Sequence, residues 1–230
     1  MTRAIIWDMD GVIADSGDAH FQAWQALFSE RGSSITREQF EDTFGMANPA
    51  ILRRWIGEDT AQDVLQRLGA RKEQLFRQMV KRHVHILPGV REWLQRARAQ
   101  DYRQVCASSG EMANIVAVLS ALDVAQYFDA LLSGAFLPKS KPDPAIFLQA
   151  AAAVGVQPAD CLVIEDGIVG VEAANRAGMH CIAVTTTHPA EKLSQAELVV
   201  DSLEELDEDA LQRIFGQTED THPKVAVADS

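Results

Sequence analysis

The chain has 230 residues, 47% of them hydrophobic, which is enough for a sizeable core and ordinary for a globular protein. Its 33 acidic and 21 basic residues give a formal net charge of −12, which excludes a broad attraction to nucleic acid or an anionic membrane. No apolar run approaches the roughly 18 residues of a membrane span, no leader pattern precedes the first strand-like run, and Cys106, Cys161 and Cys181 lie in apolar runs without paired spacing, so a cytoplasmic protein with free thiols is expected.

The first element, Ile5-Ile6-Trp7, is a short apolar run that ends on Asp8-Met9-Asp10-Gly11. A buried strand does not spend carboxylates in its body. Residues i and i+2 of an extended chain face the same side, so Asp8 and Asp10 aim at one place. Such a pair needs a cation, a shared proton or a reaction that uses the two acids differently, unless both merely cap a solvated strand end. From residue 17 the period becomes helical: Phe21, Trp24, Leu27 and Phe28 share a face before Gly32. Thr36 and Gln39 have capping-box spacing. Asn48-Pro49 reads as the N-cap and first residue of a helix that stops at Gly57. Helical patterns over 60–68 and 71–84 follow, separated by Gly69.

Residues 16–86 therefore read as a helical domain inserted after the first strand, with hinges at 14–17 and Leu87-Pro88-Gly89. Beyond it, strands alternate with helices. Helix 90–99 leads to strand 103–107, which ends at Ser108-Ser109-Gly110; helix 111–122 and strand 128–132 follow. After a loop carrying Lys139 and Lys141, Asp143-Pro144 starts a helix that runs to Gly155. Strand 161–164 ends on Glu165-Asp166-Gly167; helix 168–177 and strands 181–184 and 198–200 complete the pattern. This alternation predicts an α/β fold: a Rossmann-like parallel sheet covered by helices on both faces, built from residues 1–15 and 87–216. The aperiodic tail, 217–230, is expected to be disordered.

Polar residues collect at strand ends, where open parallel sheets place their ligands. Ser108 and Ser109 stand at the mouth of a helix, a ready anion site, with ordinary N-capping the competing account for Ser109. Prolines 142 and 144 give Lys141 a fixed address, whereas Lys139 reads as solvent-facing. Glu165-Asp166 repeats the oddity of the first strand, and hard oxygen donors gathered at one sheet edge suit Mg²⁺. His83 and His85 would diverge on a helix, and Arg53-Arg54 reads as a solvated face. His20 points either to the cleft or to Trp24.

With these four strand ends in order, the chain resembles the haloacid dehalogenase superfamily of phosphohydrolases. Within it, the chain is similar to members with an α-helical cap inserted after the first strand, the β-phosphoglucomutase and phosphoglycolate phosphatase-like subfamily. Asp8-Met9-Asp10-Gly11-Val12 matches the D-x-D-G-[TV] motif, and Ser108 matches the hydroxyl residue after a strand. Lys141 with Pro142 and Pro144 matches K-P-x-P, and Glu165-Asp166 matches the acidic pair. The resemblance implies Asp8 as nucleophile, Asp10 as general acid and base, and Lys141 as the neutralising cation. It implies Ser108 as a phosphate ligand, with Ser109 beside it. Mg²⁺ would be held by Asp8, the Asp10 carbonyl, Asp166 and Glu165, and His20 would be a substrate contact from the cap.

The second aspartate, which the dehalogenases lack, favours phosphoryl transfer. The subfamily's mutases grip a second phosphate with an arginine in a Gly-x-Ser-Arg-type loop; here the loop reads Gly45-Met46-Ala47-Asn48-Pro49 and has no arginine. The implied function is Mg²⁺-dependent hydrolysis of a small phosphorylated metabolite, a sugar or polyol phosphate. A β-phosphoglucomutase-type mutase is the alternative, favoured by the spacing of Asp8, Asp10, His20 and Trp24. A non-catalytic phosphometabolite binder and a 2-haloacid dehalogenase are two further readings. Neither nucleic acid nor a membrane is an expected partner, and no heptad or apolar stripe indicates an oligomeric state.

Overall fold

The apolar runs pair side by side in one sheet. The structure is a computed structural model and describes residues 2–43, 46–207 and 209–216. Strands β1 (Ala4–Trp7), β4 (Arg103–Ser108), β5 (Ala130–Ser133), β6 (Cys161–Glu165), β7 (His180–Val184) and β8 (Leu198–Val200) are all parallel, in the order β5-β4-β1-β6-β7-β8. Ile5, Trp7, Cys106, Leu162 and Ile164 face one layer of helices, α5 (Val90–Ala99), α6 (Met112–Ala121) and α9 (Ala210–Gly216). Ala4, Ile6, Val105, Ala107 and Val163 face the other, α7 (Ala145–Val154) and α8 (Ile168–Arg176). Both faces are covered, so the strands carry apolar residues on both sides. The chain lays down β1, β4 and β5 in one direction, then returns to lay down β6, β7 and β8 in the other. The switch between β1 and β6 opens a crevice at their carboxyl ends, the usual ligand position in such sheets.

Four helices are inserted after β1 and form a cap: α1 (Gly17–Ser29), α2 (Arg37–Glu41), α3 (Asn48–Ile56) and α4 (Gln62–His83). Phe21, Trp24 and Leu27 of α1 are buried with Leu65, Leu75 and Phe76 of α4 in one core, which continues into the sheet domain. The Thr36–Gln39 capping box is present in both directions. The two crossings between sheet and cap are short strands, β2 (Ala14–Asp15) and β3 (His85–Ile86), that pair antiparallel with Ala14 opposite Ile86.

The structure corrects several boundaries. A single 22-residue helix, α4, replaces the two expected over 60–84. Gly69 lies against the Asn48 side chain at a helix crossing, so it serves close packing rather than ending the helix. Packing along both turns outweighs the roughly 1 kcal/mol cost of an interior glycine. Ala47, not Asn48, caps α3, which frees the Asn48 amide for a tertiary contact described below. Pro144 flanks α7 as its N-cap, and the Asp143 carboxylate accepts the N–H of Ala145 at 3.1 Å. A short 3₁₀ turn, Ala125–Tyr127, delays β5 to residue 130. Helix α9 answers no sequence expectation. Gly45 and the tail 217–230 lie outside the described residues.

Candidate active site

Asp8 is the first residue beyond β1. Because Trp7 pairs with Ile164, Asp8 sits level with Glu165, and its N–H donates to the Ile164 carbonyl at 3.0 Å. Lys141 reaches in from the loop after β5. Its ammonium donates to an Asp8 carboxylate oxygen and, at 2.5 Å, to Glu165 Oε1. The other Glu165 oxygen accepts the N–H groups of Asp166 and Gly167, both at 3.0 Å. Two glycines make room for these acids. A Cβ at Gly170 would collide with the Glu165 carboxyl, and one at Gly11 would collide with Asp166. Gly11 also holds φ at +82°, a region open to glycine at little cost. Thr187 Oγ1 donates to Asp166 Oδ2.

Three buried carboxylates, Asp8, Glu165 and Asp166, therefore crowd one enclosed ammonium. Burial pushes the Asp8 pKa well up; Lys141 opposes this, and Glu165 and Asp166 add to it. Burial and then Glu165 push Asp166 up to about 7. Burial alone would discharge Lys141, but Asp8 and Glu165 outweigh it and hold its pKa above the ordinary lysine value. The cluster carries more negative charge than its one lysine offsets. Among the described residues no group of three or more His, Cys, Asp or Glu side chains is arranged to hold a metal ion. The oxygens of Glu165 are already committed to Lys141 and the backbone.

Asp10 has different surroundings. Ser16 Oγ donates to its Oδ1, and His20 Nε2 lies 3.7 Å from that oxygen. Desolvation would raise the Asp10 pKa, but His20, Ser16 and Lys72 together hold it below the usual range. His20 stacks on Phe76 at a centroid distance of 4.1 Å. Lys72 Nζ meets its Nδ1 at 2.8 Å. An ammonium has donors only, so Nδ1 accepts and the ring proton sits on Nε2, toward Asp10. Burial, then the Lys72 charge, lowers the His20 pKa and keeps the ring neutral. Glu73 pairs with Lys72 at 2.9 Å.

Of the remaining expected residues, Ser108 is buried at the end of β4, and its Oγ accepts the Gly110 N–H at 3.0 Å, leaving its own proton to donate. Ser109 is exposed and borders a small recess with Lys139, Ser140 and Lys141. Lys139 is exposed and 3.9 Å from Asp143. His83 pairs with Asp18 at 2.7 Å, and His85 lies in β3, so the two histidines part as expected. Ser16, Lys72, Glu73, Asn114 and Thr187 were not anticipated. Two of them left a signal. Thr187 closes a Thr185-Thr186-Thr187 run just after β7, another polar strand end. Lys72 interrupts the apolar stripe Leu65, Leu68, Phe76 of α4 at helical spacing.

Comparison with known proteins bears on the family and the fold. A family model described as "haloacid dehalogenase-like hydrolase" matches residues 2–178. The chain belongs to this hydrolase family. Its relatives include a β-phosphoglucomutase of Bacillus subtilis (strain 168), 32% identical over 205 residues, 86% of this chain and 88% of that protein. Hexitol phosphatase B of Escherichia coli (strain K12) is 33% identical over 187 residues, 79% of this chain and 82% of that protein. Among solved structures, a β-phosphoglucomutase from Clostridium difficile superposes with a TM-score of 0.81 at 27% identity, covering 95% of this chain and 99% of that one. Family membership with named phosphatase relatives makes the protein an enzyme, a phosphohydrolase of this family.

Proposed function

We propose that the protein is a Mg²⁺-dependent phosphatase that hydrolyses a small sugar or polyol carrying a single phosphate, through an aspartyl phosphate. A mutase and a phosphatase are similar to this chain to nearly the same degree, 32% and 33%, so likeness alone does not choose between them. The observation that carries the choice is the state of Lys72, the buried cation of the cap. It is already neutralised by Glu73, while the stretch Met46-Ala47-Asn48-Pro49 supplies no cation in its place. Among the described residues a second phosphate would find no unpaired buried cation in the cap; a neutral hydroxylated end needs none.

In the first half of the reaction an Asp8 carboxylate oxygen attacks phosphorus in line, the bond to the sugar oxygen breaks, and Asp10 gives its proton to that oxygen. In the second half Asp10 removes a proton from water, the water oxygen attacks phosphorus, and the bond to Asp8 breaks. Inorganic phosphate leaves and both acids return to their starting states. Lys141 holds Asp8 in position and neutralises charge there. Ser108, with Ser109 beside it, borders the phosphate. Asp8, Asp166 and the Asp10 carbonyl would hold Mg²⁺, with Glu165 acting mainly through Lys141. The fit rests on the all-oxygen donor set and its surplus negative charge. Bound there, the ion stabilises the carboxylate form of Asp8 and offsets phosphate charge. Phosphate beside Asp10 acts in the opposite sense and favours its protonated form. His20 would touch substrate from the cap.

The test is a panel of sugar and polyol monophosphates, phosphoglycolate, nucleotides and an aryl phosphate, with Mg²⁺ present. Hydrolysis of the aryl phosphate and of a sugar or polyol phosphate is expected, lost with chelator and restored by Mg²⁺. Asp8→Asn should lower turnover on the order of a thousandfold or more; turnover retained in that variant would sink the mechanism. The mutase reading is favoured by the 32% identity over 86% of the chain with a β-phosphoglucomutase. Interconversion of β-glucose 1-phosphate and glucose 6-phosphate, stimulated by a bisphosphate, would establish it instead.

A further inference from the structure

The cap meets the core at a second buried polar contact, where α4 crosses α6. Glu73 of the cap and Asn114 of the core are 7% and 4% exposed. Asn114 Nδ2 donates to Glu73 Oε2 at 2.5 Å, and Arg77 donates to Asn114 Oδ1 at 2.8 Å. Glu73 and Arg77 are four residues apart on α4 and so share a face. One core amide thus offers its donor end to the cap's anion and its acceptor end to the cap's cation. Arg77 also reaches Glu111 of the core at 3.4 Å.

The other Glu73 oxygen serves the cap alone. It accepts Asn48 Nδ2 at 2.6 Å and Lys72 Nζ at 2.9 Å. Lys72 is the donor to His20, and His20 faces Asp10. Were the cap to swing on the β2–β3 ribbon, Asn48, Lys72 and His20 would travel with Glu73. Among the described residues the bonds to Asn114 and Glu111 would break, and His20 would part from Asp10. A buried carboxylate that loses one of its donors without gaining water is costly, so the closed position is favoured wherever Asn114 can be reached. No other residue type of this size serves both ends: leucine would supply neither bond, and aspartate would set two carboxylates against each other.

We infer that Asn114 and Glu73 form a closure latch, with Glu73 as a positioning residue that couples docking of the cap on α6 to alignment of Lys72 and His20 on Asp10. The kinetic half of this inference rests on the phosphatase reading; the closure half does not.

The test uses the full chain labelled at Glu58→Cys on the cap and Ser120→Cys on the core, both exposed, while the three native cysteines are buried. The distance between labels is measured by spin-label spectroscopy with Mg²⁺ and inorganic phosphate, alongside kcat/KM on the best substrate. Asn114→Asp is expected to lengthen and broaden the distance and to lower kcat/KM about tenfold or more. Adding Glu73→Gln to Asn114→Asp rebuilds an amide–carboxylate pair with its ends exchanged. It is expected to restore the short distance, while kcat/KM recovers only in part because Glu73→Gln also takes the carboxylate from Lys72. A distance unchanged in Asn114→Asp overturns the latch, and so does a double variant whose distance is no shorter than that of the single one. Should Asn114→Asp fail to fold, Asn114→Ser removes the bond without adding charge and is read in the same way. An unaltered protein inactive over the whole panel refutes the phosphatase reading, while the distances still decide the latch.

Discussion

Two buried charge clusters lie on either side of the crevice, and they are built on different principles. Around Lys141 of the core, Asp8, Glu165 and Asp166 leave a surplus of negative charge. Around Lys72 of the cap, Glu73 is the one carboxylate in direct contact, and it is completed by the neutral amides of Asn48 and Asn114. Buried ions persist when each is paired and its remaining lone pairs are satisfied. With Asn114 of the core in place, the Lys72–Glu73 cluster meets that condition and its charges are balanced. The core cluster does not, and its surplus of negative charge suits the cation that the phosphatase reading assigns there.

The sharpest way to break this contrast is Lys141→Met. It removes the one cation among three buried acids. In the absence of divalent ions a stability loss of about 3–5 kcal/mol is expected by urea denaturation, with turnover falling on the order of a thousandfold. Added Mg²⁺ should recover part of the stability but little of the turnover. A variant as stable as the parent would show that the surplus charge is harmless and the contrast empty.

A smaller effect is expected in the cap. Burial would raise the Glu73 pKa, but Lys72 and the amides of Asn48 and Asn114 outweigh it and hold Glu73 below its ordinary 4.5. A group depressed in the folded state stabilises the fold above its unfolded value and loses that contribution as pH falls through the folded value. Stability should therefore decline as pH drops below about 4.5, and Glu73→Gln should flatten that limb in a melting series. An unchanged acid limb would mean that Lys72 and the two amides do not hold Glu73 as an ion.

Lys139→Ala marks the low end. Its side chain is 78% exposed and its ammonium lies 3.9 Å from Asp143, two residues from the enclosed Lys141 in sequence. Turnover and melting temperature are expected to stay within about twofold and about one degree of the parent. A large loss would place a second working cation in the loop.

The division between what the sequence disclosed and what it hid follows the same two clusters. Asp8, Asp10, Lys141, Glu165 and Asp166 stand at the ends of apolar runs or between prolines, where their polarity contradicts their surroundings along the chain. The parallel sheet and the helical insertion were legible for a like reason, since a short apolar run gives way to a sustained helical period of 3.6 at residue 17, and apolar runs alternate with helices after residue 89. Glu73 and Asn114 could not be found in this way. Each sits on a helix where a polar residue is unremarkable, and their meaning appears only when α4 crosses α6. Gly69 shows the same limit: along the chain it reads as a stop, while in space it is a place for Asn48 to pack. Local chemistry is written in order along the chain, whereas the contacts between two helices depend on a crossing that no window of sequence contains.

The ribbon of β2 and β3 has a consequence for how such a molecule can change over time. Ala14 pairs with Ile86, so the chain leaves the core and rejoins it across a gap of only about 5 Å. An insert attached in this way can grow, shrink or be exchanged whole without stretching the sheet that holds Asp8. In the phosphatase reading, the part that would choose a substrate and the part that would break the phosphate bond are therefore separable inheritances, joined at a single seam that a tight turn could close.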